Sequence, residues 1–78
     1  MAALPYRLHV FDGQYEVLAN RRYVVVLDLS IPGYATTLNQ QLQALTRDAL
    51  AANEPMDVPR LEVRDAATGT KVLDWSGA

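Results

Sequence analysis

The chain contains no cysteine, and this absence removes disulfides, thiolate metal sites and thiol nucleophiles together. Histidine occurs once, at His9, too few to build a zinc site without several carboxylates gathered around it. No serine or threonine is placed as a nucleophile and no glycine-rich loop is present to cradle phosphate, so neither a cofactor nor a metal is expected. No apolar run approaches the ~20 residues of a membrane-spanning helix. The opening Met1-Ala2-Ala3-Leu4-Pro5 lacks the basic and long apolar regions of a signal peptide. The expectation is a cytoplasmic protein with no membrane partner. Acidic residues outnumber basic ones, giving a net charge of −2, so no long-range field draws in nucleic acid.

What remains is a chain of 78 residues, half of them hydrophobic, read as a single domain over 1–78. A domain this short buries only about 60% of the surface that its unfolded form exposes. Below roughly 70–80 residues a disulfide, a metal or a partner usually supplements the core. With the first two removed, association with a partner is the expected supplement.

The strands read from alternation. Tyr6-Arg7-Leu8-His9-Val10-Phe11 and Gln14-Tyr15-Glu16-Val17-Leu18-Ala19 flank Asp12-Gly13, a strong hairpin signal. A two-residue loop at Asp12-Gly13 pairs Val10 with Tyr15 and Leu8 with Val17, and sets His9 opposite Glu16. A three-residue turn at Asn20-Arg21-Arg22 then pairs Val17 with Val25 and Tyr15 with Leu27, which makes a three-stranded meander. Tyr6, Tyr15 and Tyr23 fall on its core face. The third strand, Tyr23-Val24-Val25-Val26-Leu27-Asp28-Leu29, is apolar on both faces, because alternate side chains point opposite ways.

Ile31-Pro32-Gly33 ends that strand. Thr37 and Gln40 have the spacing of a capping box, and Leu38, Leu42, Leu45, Ala49 and Ala52 form one helical stripe flanked by Leu50. Asn53 and Pro55 stop the helix. A closing hairpin joins Leu61–Arg64 to Lys71–Trp75 around Asp65–Thr70. Asp65-Ala66-Ala67-Thr68-Gly69 with Trp75 resembles the hairpin of tryptophan-bearing repeats in quinoprotein-type β-propellers. A propeller needs several such blades, so the reading adopted is a turn in which Asp65 accepts backbone hydrogen bonds and Gly69 takes positive φ. The expected fold is α+β, in the order β-β-β-α-β-β, with one helix on one face of an antiparallel sheet. Where the last hairpin joins that sheet is left open.

One helix covers one sheet face. The other face collects Phe11, Leu18, Val24 and Val26, with Arg7, His9, Glu16 and Asp28 around them, too apolar for a plain solvent face. These four residues are the expected protein interface. The expected function is a small non-catalytic protein-interaction module, self-associating as a homodimer or binding another protein. An alternative is a small phage- or mobile-element-type regulator of a host protein. In another class stands a small acid–base enzyme using His9 and Glu16, with the carboxylate tuning the imidazole. Arg21 and Arg22, weighed with Arg7 as a nucleic-acid contact, lie in a turn where solvated charge is ordinary. Trp75 is read as packing.

Overall fold

The computed structural model describes residues 3–19 and 22–76. Its elements are β1 (Leu4–Asp12), β2 (Tyr15–Val17), β3 (Tyr23–Leu27), α1 (Tyr34–Ala51), β4 (Pro59–Asp65) and β5 (Lys71–Trp75). They form one antiparallel sheet with a single helix, the α+β arrangement and element order read from the sequence.

The longest strand, β1, organises the sheet. Along one side it pairs with β4, and β4 carries β5. Along its other side it pairs with both β2 and β3. β2 takes the Val10–Asp12 end and β3 the Leu4–Leu8 end, so the two short strands lie end to end in one lane. Only His9 separates them on β1, whereas on the other side Leu18, Ala19 and Arg22 stand outside the ladder between Val17 and Tyr23. The first three strands are therefore not a meander, since β3 pairs with β1 and not with β2. Asn20 and Arg21 of the expected connecting turn lie outside the described residues.

The first hairpin is shifted from the expected register. Its loop is Gly13-Gln14, which pairs Asp12 with Tyr15, Phe11 with Glu16 and Val10 with Val17. Gly13 takes φ +61° and Gln14 stays outside the positive region, the pattern of a type II′ turn. Long-range bonds select this register. The Asp12 carboxylate accepts the amides of Asp57 (3.2 Å) and Val58 (2.8 Å), and the Gly13 amide donates to the Val58 carbonyl (3.0 Å). The shift carries Tyr15 to the hairpin end, where it is exposed and not in the core.

Tyr6, Leu8 and Val10 of β1, Val25 and Leu27 of β3, and Leu61 and Val63 of β4 face α1, which answers with Leu38, Leu42, Leu45 and Ala49. Leu18 joins them, only 7% exposed, although φ is +56°. The backbone turns out of the ladder there and swings the side chain under the helix, away from the face that alternation assigns it. The helix begins three residues before Thr37, with Gly33 as N-cap and no side-chain cap bond, so the Thr37–Gln40 box does not form. Backbone bonds of the preceding turn, Tyr34 to Ile31 (3.4 Å) and Ala35 to Pro32 (3.3 Å), carry the chain straight into it. At the other end Asn53 takes φ +62°. Glu54 bonds Ala49 (2.7 Å) and Asn53 bonds Leu50 (3.1 Å), a Schellman motif that ends the helix where the sequence marks it.

Candidate docking edge and the outer face of the sheet

Alternation sends every second side chain of the sheet away from the helix. The outer row of β4 is Arg60, Glu62 and Arg64, facing Phe11, His9 and Arg7 of β1. Arg60 joins this half of the face. Its guanidinium lies 4.4 Å from the Phe11 ring centroid, and its Nε donates to the Gly13 carbonyl (2.7 Å). Its Nη1 reaches Asp74 (2.8 Å) and Glu62 (3.4 Å). Arg64 holds the other Glu62 oxygen through Nε (3.1 Å) and Nη2 (2.6 Å). Lys71 binds Asp74 at 2.9 Å. The Lys71 hydrogen bond, aided by the positive charges of Lys71 and Arg60, holds the Asp74 carboxyl below its usual 3.8. Phe11 is thus buried under an arginine of its own chain. The expected interface residues Phe11 and Leu18 are both covered internally, one by Arg60 and one in the core.

Val24 and Val26 stand differently. They project from the outer face of β3, where they remain 60% and 63% exposed. β3 has β1 as its only strand partner among the described residues, so one side of its backbone is an open edge. Arg22 lies two residues before Val24, and Asp28 two residues after Val26. Asp28 closes the turn after β3, with Oδ1 accepting from the amide (3.0 Å) and hydroxyl of Ser30. Those two bonds, the hydroxyl one first, hold its carboxyl below the usual 3.8. Oδ2 of Asp28 accepts no hydrogen bond among the described residues.

His9 and Glu16 meet at 2.9 Å (Nδ1 to Oε2). The contact is diagonal, because His9 lies directly opposite Glu62, and Glu16 opposite Phe11. Asp28 does not join them. It follows the strand end that pairs with Leu4, five residues along β1 from His9, or roughly 17 Å at the strand rise. The pair lies on an open sheet face. A groove runs elsewhere, along Asn39, Leu42, Gln43, Thr46 and Arg47 of α1 beside Pro59.

Of the arginines weighed for nucleic acid, Arg21 lies outside the described residues, and Arg7 faces outward beside Val24. Tyr6 is buried and Tyr23 is half-buried, its hydroxyl 3.3 Å from Asp48, so neither offers a free face for a base to stack on. Trp75 bonds Asn39 through Nε1 (3.1 Å) and meets Tyr34 edge-on at 6.3 Å, which fastens β5 to α1. Asp65 accepts the amides of Ala67 (2.7 Å) and Thr68 (3.2 Å) and Gly69 takes φ +75°, as read from the sequence. Among the described residues no helix is long and apolar enough to cross a membrane, and no group of three or more metal-binding side chains is gathered.

Sequence reasoning missed one row, and of a second it placed Val24, Val26 and Asp28 on one face without Arg22. The Arg60-Glu62-Arg64 ladder was visible as charges at a spacing of two, interleaved with Leu61 and Val63. The row Arg22-Val24-Val26-Asp28 has the same spacing, with opposite charges at its ends. Compared with known proteins, the chain matches no family model, no curated protein and no solved structure.

Proposed function

We propose that this chain is a small non-catalytic protein-interaction module whose docking element is the open edge of β3. The observation that carries the reading is the uncharged run Tyr23–Leu27 at the rim of the sheet, with Val24 and Val26 exposed. Sheet proteins ordinarily blunt such edges with a charge, a proline or a bulge. The described residues of β3 carry none of these between Tyr23 and Leu27, and its pairing with β1 runs without a register shift. An edge of this kind recruits an added strand, whose backbone supplies hydrogen bonds while alternate side chains fit together. His9 and Glu16, half-exposed and away from any cleft, serve in this reading as a cross-strand charge pair.

The test is a selection for partners, the chain itself included, with the double substitution Val24→Lys and Val26→Glu. That variant keeps its circular dichroism spectrum, because both side chains already face solvent, and loses every partner that the natural chain binds. Val72→Lys, on β5 at the far rim of the sheet, retains them. Partners retained by the folded double variant would overturn the reading.

A further inference from the structure

We infer that the partner of the β3 edge is a second copy of this chain, paired antiparallel across a twofold axis through Val25. The inference rests on reading β3 as a docking edge. Directly opposed residues of an antiparallel pair share one sheet face. Registers that keep both helices on the same side therefore centre the axis on Val24, Val25 or Val26. Centring on Val24 opposes Arg22 to Val26 of the second copy, and centring on Val26 opposes Asp28 to Val24 of the second copy. Each leaves a charge against an apolar side chain. Centring on Val25 opposes Val24 to Val26, Tyr23 to Leu27 and Arg22 to Asp28, and the twofold repeats each match.

The outer face of that seam holds four valines, now exposed at 60% and 63% in each copy, bracketed at both ends by an arginine and an aspartate. Asp28 is suited to its end. Ser30 fixes the orientation of the carboxylate through Oδ1, and Oδ2, which accepts no hydrogen bond among the described residues, is the oxygen proposed to meet the incoming guanidinium. The row is self-complementary in charge and in shape, as a closed twofold interface requires.

The experiment measures mass by light scattering for the natural chain, Arg22→Asp, Asp28→Arg, and an equimolar mixture of the two variants. Circular dichroism verifies that each is folded. The natural chain should be a dimer. Each single variant sets like charges opposite each other at both ends of the seam and should dimerise at least about tenfold more weakly. The mixture restores opposite charges at both ends and should recover the dimer. Natural affinity in either single variant, or a mixture no tighter than its components, overturns the register. A monomeric natural chain that still loses a foreign partner on Val24→Lys/Val26→Glu overturns self-pairing and leaves the docking edge standing. A dimer indifferent to that double substitution overturns both.

Discussion

Glu62 is the charged side chain in the buried set, 7% exposed, and it survives there because two guanidinium groups hold its two oxygens separately. Charged hydrogen bonds are strong where water is excluded, but Arg60 and Arg64 are themselves partly solvated, with side chains 25% and 37% exposed. Glu62→Ala should therefore cost about 1–2 kcal/mol, less than the loss of a fully buried ion. Urea denaturation reads this as a lowered midpoint, and an unchanged midpoint would mean that the ladder is ornamental. Legibility at this scale followed locality. Val24 and Val26 point outward as strand alternation requires. Phe11 also points outward, but the arginine covering it comes from a strand far along the chain. No local pattern announces that cover.

The lane shared by β2 and β3 depends on Leu18. A non-glycine residue in the left-handed region is strained by roughly 1–2 kcal/mol, and burial of the isobutyl group offsets that strain. Leu18→Ala removes the burial and keeps the strain, so it should cost about 2–4 kcal/mol. Leu18→Gly removes both and should cost no more than the alanine variant, although it deletes one carbon further. Thermal denaturation of the pair decides this. A glycine variant clearly less stable than the alanine one would show that the strain is absent. Among the elements, the helix stripe, its Asn53 stop and the closing hairpin were readable, because each is written in residues a few positions apart. The Thr37–Gln40 box misled because the turn at Asp28–Ile31 leads the chain into the helix earlier. The two hairpins were readable as strand neighbours, but the other partners of β1 and the register of the first hairpin were not. The first hairpin register is fixed by Asp57 and Val58, and β3 reaches β1 by leaving the ladder at Leu18.

For the whole molecule, a core of this size on 78 residues implies a stability of about 4–12 kcal/mol. Pairing through β3, as proposed above, would add to it by mass action. The melting temperature of the natural chain should then rise with protein concentration, by a few degrees per tenfold. The same scans on Val24→Lys/Val26→Glu should be independent of concentration. A natural chain whose melting point ignores concentration would show that folding and association are uncoupled. Calorimetry over two decades of concentration makes the comparison.

The central strand of this sheet leaves the ribosome before the sheet's other strands, and its partner on one side follows only after the helix. β1 ends at Asp12, while β4 begins at Pro59, and synthesis proceeds at roughly 5–20 residues per second. For several seconds the nascent chain holds β1, its short companions and the helix, with one side of β1 unpaired as well as the rim of β3. Pairing across so long a stretch is also the slow step of refolding, since contacts distant in sequence form late. The interval in which two sticky strand edges face solvent together ends only when the closing hairpin arrives. Chaperone demand and inclusion-body formation should therefore track the speed of translation through residues 13–58 more closely than the final stability of the fold.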